Sequence, residues 1–327
     1  MGDTVTLRGG AKMPKLGLGM WKAPKDVTSS VVYEAIKTGW RHLDCAADYG
    51  NEQEVGLGIK KALDEGICKR EDLWITTKLW NTFHAKEHVQ LACEKSLKDL
   101  GLTYLDLYLV HFPISLKFVP IEKRYPPEWT HDPDAAKPKM ELADVPLRET
   151  WAAMEELKAK GLVKNIGVSN CNCIALMELM KETKDPPAVN QVELHPYLTQ
   201  ERLLKFCDMV GIHVTGYSPL GSPSYVTIGM AGANESVMEE PLIKQLAQKY
   251  NKSPAQIVLR WGLQRANCSI VPKTASVNRL KENLALFDFS LSEDDIKQIS
   301  ALNRNRRYND PGSYTEREFS QYWPIFD

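Results

Sequence analysis

The strongest constraint on this chain is an alternation. Short runs rich in Val, Ile, Leu and Thr recur along most of its length, separated by longer stretches of helical period. Eight such runs are present, at residues 16–19, 41–44, 73–77, 105–110, 163–169, 188–192, 213–217 and 269–271. Strands that alternate with helices build a parallel sheet. Eight strand–helix units close into a (β/α)8 barrel, so that α/β architecture is the expected fold. The helical segments EVGLGIKKALDEG, EHVQLACEKSLKDLG and PLRETWAAMEELKAKG each end in Gly within about a turn of basic residues, which marks a helix C-terminus. Ahead of the first run, TVTL and KMPKLG flank Arg8-Gly9-Gly10-Ala11, the pattern of an N-terminal β-hairpin capping one end of the barrel.

Two segments break the rhythm. Residues 112–145 form a long Pro-rich connection, and residues 303–327 are polar and then aromatic, expected as a C-terminal tail loop. Long loops in compact domains are usually functional lids or disordered. Neither segment reads as an independent domain, so residues 1–327 are expected to form a single barrel domain.

Charge and hydropathy exclude several functions. Forty-one Lys+Arg against 42 Asp+Glu leave a net charge of -1, which argues against nucleic acid or an anionic membrane as partner. No stretch approaches the roughly 18 apolar residues of a spanning helix, and MGDTVTLRGGAKMP lacks the apolar centre of a signal peptide. A cytoplasmic protein, monomer or homodimer, is expected. Seven scattered cysteines suit reduced thiols, and Cys171-x-Cys173 has no second pair to complete a tetrahedral site, so no metal is expected.

Barrel sites lie at strand C-termini. The second, third and fourth strands end at Asp44 in DCAADYGNE, Lys78 in TTKLWN and His111 in VHFP. Each residue alone has a plainer reading as a cap, a solvated charge or a core group; their placement at three successive strand ends favours chemistry. A tyrosine, with an ordinary pKa of about 10, is a poor acid at neutral pH unless a neighbouring ammonium lowers that value. Lys78 is expected to supply that charge to Tyr49, Asp44 to hold the lysine charged and aimed, and His111 to orient a carbonyl.

LGLGMW, DCAADYGNE, TKLW, HFP, GVSN, NQVELHPY, GYSPLG and VPKTASVNRLKEN occur in this order over nearly the whole chain and resemble the aldo-keto reductase family. The resemblance implies NADPH-dependent reduction of aldehydes and ketones in a (β/α)8 barrel, with Asp44, Tyr49, Lys78 and His111 as the catalytic tetrad. Met20 and Trp21 match cofactor contacts. Ser169, Asn170 and Gln191 match residues that hold the nicotinamide carboxamide, and Tyr217 the ring that stacks on its face. Ser218, Leu220 and Ser222 match the pyrophosphate loop, and GSPSYVTIGMAGAN after it suits a flap. Lys273, Thr274 and Arg279 match the clamp on the 2′-phosphate, for which a Lys, a hydroxyl and an Arg are chemically suited; Glu282 and Asn283 match adenine contacts. Gly17-Leu18-Gly19 reads better as a tight strand end than as a phosphate loop.

HFPISLKFVPIEKRYPPEW and RRYNDP are most similar to yeast xylose reductases and related aldose reductases, which implies sugar-hydroxyl contacts from Asp48 and Asn309. Trp21, Trp80, His111 and Phe112 would wall the pocket, which suits an open-chain aldose such as xylose. Ala275 stands where dual-cofactor yeast enzymes carry Asn, which favours NADPH over NADH. DCAADY, AVNQVELHPY and NKSPAQIVLRWG also resemble plant hexose-6-phosphate reductases, so an aldose-6-phosphate (mannose or glucose 6-phosphate) reductase is the alternative; Gly50 replaces the Lys those enzymes carry after the tyrosine. A catalytically silent binding subunit is a third reading, disfavoured by the complete tetrad.

Overall fold

The computed structural model describes residues 3–326. The hairpin pairs β1 (Thr4–Thr6) with β2 (Lys12–Pro14) in antiparallel register, Val5 opposite Met13. The barrel strands follow as β3 (Leu18–Gly19), β4 (His42–Asp44), β5 (Trp74–Leu79), β6 (Leu107–Val110), β7 (Ile166–Ser169), β8 (Val189–Glu193), β9 (His213–Tyr217) and β10 (Cys268–Val271). All eight are parallel and pair with their sequence neighbours. The first and last meet through a parallel bridge from Leu16 to Ile270 and a 2.9 Å bond from Gly19 N–H to Pro272 O. Close packing of the first strand against both neighbours, β4 and β10, explains the two glycines. A Cβ on Gly17 would stand 2.7 Å from the His42 ring, and one on Gly19 would stand 2.9 Å from Val271 O, both closer than packing allows.

Outside the strands lie α1 (Lys25–Thr38), α2 (Glu52–Asp64), α3 (Lys86–Leu100), α4 (Leu147–Ala159), α5 (Cys173–Glu182), α6 (Glu201–Val210), α7 (Pro241–Tyr250), α8 (Pro254–Gln264) and α9 (Val277–Leu284). Their buried positions follow helical spacing, as with Val31, Val32, Ala35 and Ile36 of α1 and Val89, Ala92, Cys93, Ser96 and Leu97 of α3. Each such Val, Leu or Ile contributes about 1.5–3 kcal/mol by leaving water. The predicted glycine terminations are present: Gly66, Gly101 and Gly161 all adopt positive φ just past α2, α3 and α4. At the barrel's N-terminal end the hairpin packs Leu7 and Met13 against Trp74, Leu107, Leu109 and Val189, sealing that end so that the opposite mouth carries the open cavity.

The tail differs from expectation. After α10 (Glu293–Ser300), the segment expected as a loop contains α11 (Pro311–Phe319). Asp310 accepts the Gly312 N–H at 3.0 Å, and Pro311 occupies the first turn where no N–H is needed. A polar helix with a short apolar face leaves too weak a periodicity to announce itself. The 112–145 connection has no helix or regular strand, but Phe118 packs on Phe83 and Trp129 on Trp80, at ring separations of 5.7 and 5.0 Å.

Behind the barrel mouth, Glu52 at the start of α2 is buried and accepts bonds from Thr77 Oγ1 at 2.6 Å and Ser96 Oγ at 2.9 Å, joining α2, β5 and α3. Burial pushes its carboxyl up from 4.5 to about 7, so the folded chain keeps a proton that the unfolded chain releases. The stability this supplies is complete below the unfolded value and is lost as pH rises through the folded one, on the order of 3 kcal/mol in all. Glu52→Gln keeps an acceptor for Thr77 and removes the titration. Thermal unfolding between pH 5 and 8 should then show a flatter curve, with the variant more stable than the parent at pH 8; parallel curves would assign the titration to another group.

Candidate active site

The strand ends converge as the spacing predicts. Asp44 closes β4, Lys78 lies inside β5, His111 follows β6, and Tyr49 ends a 3-10 turn, Ala47–Tyr49, three residues beyond Asp44. Lys78 is 1% exposed and its ammonium has three bonds: to Asp44 Oδ2 at 2.9 Å, to the Cys45 carbonyl at 2.8 Å and to Tyr49 Oη at 3.2 Å. An ammonium has three donors, and all three are used. The second Asp44 oxygen accepts from Gln191 Nε2 at 2.7 Å, a contact from β8 across the barrel interior. Tyr49 Oη therefore accepts from Lys78, while its own proton has no acceptor among the described residues and is available to the cavity.

One electrostatic expectation is corrected. Lys78 does not pull Tyr49 below its ordinary value; burial, followed by the Asp44 and Asp48 carboxylates, raises the phenol well above it. The lysine's charge is already matched by Asp44 at 2.9 Å, so it has little net field left for a neutral phenol. Its effect falls instead on the phenolate left after proton transfer. His111 is driven well below its usual value by burial and then by Lys78, so it stands as a neutral imidazole. Its ring lies 5.9 Å from that of Tyr49, and Nδ1 is buried without a partner.

Above this floor opens a cavity of about 870 Å³, within the range of small-molecule clefts. Around Tyr49, the lining comprises Trp21, Trp80 and Phe112, with Asp48 and Asn309 as the polar members. Asp48 Oδ1 is buried without a partner, and burial, then Glu128, pushes this carboxyl up to about 7. Asn309 Nδ2 donates to Tyr217 Oη at 3.2 Å, and Tyr217 donates to Asn170 Oδ1 at 2.7 Å. Asn170 Nδ2 in turn reaches the His111 carbonyl at 2.9 Å and Ser169 Oγ at 3.2 Å. Ser169, Asn170, Gln191 and Tyr217 line the next stretch, and Ser218 and Leu220 follow.

The far end is cationic. Lys273, Thr274 and Arg279 line it with Glu282 and Asn283, but Lys273 and Arg279 form no ion pair with an acidic group among the described residues. Desolvation at the wall and the like charge of Lys273 lower the nearby Lys22 ammonium below its ordinary value. Cations placed together and engaged in no ion pair fit an anionic ligand group, and a groove running from Tyr49 to this cluster fits a dinucleotide with phosphate at the far end.

Three expected contact residues do not line the cavity. Lys78 lies beneath it, while Met20 and Ser222 are 1% and 2% exposed and face the protein interior. Among the lining residues that sequence reasoning did not single out are Lys22, Trp129 and Tyr225. Lys22 has a positive φ of 56° and donates to the Ser224 carbonyl at 2.9 Å, a contact between loops that no local pattern announces. Trp129 sits in the Pro-rich connection, whose path is set by packing on Trp80. Tyr225 packs between Trp21 and Tyr308, at 5.3 and 5.6 Å; an aromatic within a Gly/Ser-rich stretch was its only signal. Among the described residues no group of three or more His, Cys, Asp or Glu is placed to hold a metal ion, and no helix is long and apolar enough to cross a membrane.

Comparison with known proteins agrees with this geometry. A probable NAD(P)H-dependent D-xylose reductase of Aspergillus clavatus is 45% identical, covering 99% of this chain and 99% of its own. A 4-dihydromethyl-trisporate dehydrogenase of Mucor mucedo is 46% identical over 95% of this chain and 97% of its own. Among solved structures, an aldo-keto reductase of Bombyx mori in complex with NADP superposes with a TM-score of 0.85 at 35% identity, covering 99% of each chain. Residues 15–304 match the model of the Aldo/keto reductase family, and the chain belongs to that family.

Proposed function

We propose that the chain works as one barrel domain, residues 1–327, that uses NADPH to reduce an open-chain aldose such as xylose to its alditol. The observation that carries the chemistry is the orientation of Tyr49: Lys78 occupies its oxygen from below, leaving the phenolic proton for an acceptor in the cavity. A bound reduced nicotinamide supplies the hydride. Tyr49 would give its proton to the carbonyl oxygen as negative charge builds there, while neutral His111 would donate a hydrogen bond that orients the carbonyl. The phenolate that remains keeps the Lys78 bond, and Asp44 and Gln191 keep the lysine aimed. Catalysis then needs no rearrangement of the buried charges.

Substrate choice rests on the site rather than on identity alone, because relatives of nearly equal identity carry different names. Asp48 and Asn309 are polar groups in an otherwise aromatic wall, which favours a hydroxyl beside the carbonyl. A carboxyl poised at about 7 both accepts and donates to such a hydroxyl. Gly50, where a phosphate-binding Lys would stand, disfavours an aldose 6-phosphate, and the complete tetrad disfavours a silent binding subunit. For the cofactor, Ser169, Asn170, Gln191 and Tyr217 would meet the nicotinamide, Ser218 and Leu220 the pyrophosphate, and Glu282 and Asn283 the adenine. Seven free cysteines suit a reducing cytoplasm, where the protein would act as a monomer or homodimer.

Arg279→Ala should weaken NADPH binding by about one to two decades, the contribution of hydrogen bonds to a charged group, and leave NADH binding unaltered. Fluorescence titration with both cofactors checks this; equal affinity for NADPH before and after the change would place the 2′-phosphate elsewhere.

The substrate assignment is tested by kcat/KM for xylose, glucose, glucose 6-phosphate and mannose 6-phosphate under one set of conditions. Xylose should lead. A hexose phosphate ahead by a decade would replace the aldose reading with the sugar-phosphate one.

A further inference from the structure

β8 carries Gln191 and ends at Glu193, two positions on and therefore on the same face of the strand. The Glu193 side chain is fully buried and does not line the cavity, and no Lys or Arg pairs with it among the described residues. Its oxygens are committed elsewhere. Oε1 accepts the Tyr308 backbone N–H at 2.8 Å and lies 2.8 Å from His195 Nε2, and Oε2 accepts the Asn309 backbone N–H at 2.7 Å. Gln200 Nε2 donates to the Glu193 carbonyl at 2.9 Å, which holds the strand end itself in place.

A buried carboxylate is costly unless its lone pairs are met, and here two successive amides of the tail meet them. The tail has no strand pairing with the barrel at this point; Arg304 and Arg306 donate backbone N–H bonds to the Tyr197 carbonyl just before it, and the two Glu193 bonds are what tie the Tyr308 and Asn309 backbone directly to β8. From Asn309 the contacts run onward through Tyr217 and Asn170 to the His111 carbonyl, at 3.2, 2.7 and 2.9 Å.

We infer that Glu193 is a positioning residue for substrate specificity: it pins Asn309 at the height where its side chain reads the hydroxyl beside the carbonyl, without itself touching substrate or cofactor. The inference rests on the aldose reading above. A carboxamide at 193 has one acceptor oxygen, so it can satisfy only one of the two amides and turns an N–H group on the other. The tail then shifts relative to the floor, and hydroxyl recognition weakens more than carbonyl reduction.

The test measures kcat and KM for D-glucose and 2-deoxy-D-glucose, which differ only in that hydroxyl, in the parent enzyme, Glu193→Gln, Asn309→Ala and the double variant. Each sugar is compared with itself across variants, so differences in open-chain fraction cancel. Glu193→Gln should lower the preference for the hydroxylated sugar by about tenfold, chiefly through KM. In the Asn309→Ala background the same change should leave the remaining preference unaltered, since both act through one side chain. Equal losses on both sugars, or additive losses of preference in the double variant, would overturn the inference and make Glu193 a general structural support. Should Glu193→Gln fail to fold, Glu193→Asp keeps both acceptor oxygens at a shorter reach. It should show a smaller loss of preference; an unaltered preference in the folded Asp variant would also overturn the inference. A parent enzyme with no preference between the two sugars, once each kcat/KM is expressed per open-chain aldehyde, would instead overturn the aldose reading, a result distinct from the variant outcomes.

Discussion

The site depends on one buried ion pair, Lys78 with Asp44, 2.9 Å apart with both side chains almost fully buried. Removing two charges from water costs several kcal/mol per ion and is offset only when the remaining lone pairs and protons are also satisfied. Here every one is assigned: the lysine's other donors go to the Cys45 carbonyl and Tyr49, and the second carboxylate oxygen goes to Gln191. In the sheet order, β4 and β8 stand four strands apart in a ring of eight, so the Gln191 contact spans the barrel's diameter. Only a closed barrel brings these two residues together.

From that pair follows a division of the cavity into two electrostatic regions. Near Tyr49, burial favours neutral forms: the phenol keeps its proton, the imidazole of His111 lacks its second one, and Asp48 is poised at about 7. Such groups exchange or share protons with a carbonyl and a hydroxyl without first shedding bulk water. At the other end Lys22, Lys273 and Arg279 leave positive charge unmatched. The two ends favour different parts of one extended anionic ligand, so the same features that orient the ligand also place its reacting end over Tyr49.

Much of this was legible in the sequence, for identifiable reasons. The strands at 189–193 and 213–217 fall within one residue of the expected runs, because each is a short β-prone stretch set off by longer segments of helical period, even though β8 carries Asn190, Gln191 and Glu193 into the interior. Asp44, Lys78 and His111 could be located because their place at strand ends is a property of the topology. The turn carrying Tyr49 is short enough to follow Asp44 directly. Contacts fixed by the loops were not legible: Trp129, Lys22 and the α11 helix take their positions from partners distant in sequence. The direction of the Tyr49 shift was misjudged for a related reason. A sequence shows that a lysine is near, but not that an aspartate has already matched its charge.

Tyr49 is the proposed proton donor, and Tyr49→Phe tests that role most directly, with cofactor affinity measured beside turnover. The change removes one hydroxyl and leaves the ring, the cation cluster and the lining of the groove in place. Turnover on a reactive aldehyde should fall by about 10²–10⁴-fold, the usual contribution of a general acid, with the NADPH dissociation constant little altered. Turnover near that of the parent enzyme, with NADPH bound normally, would contradict the account and require another group to supply the proton.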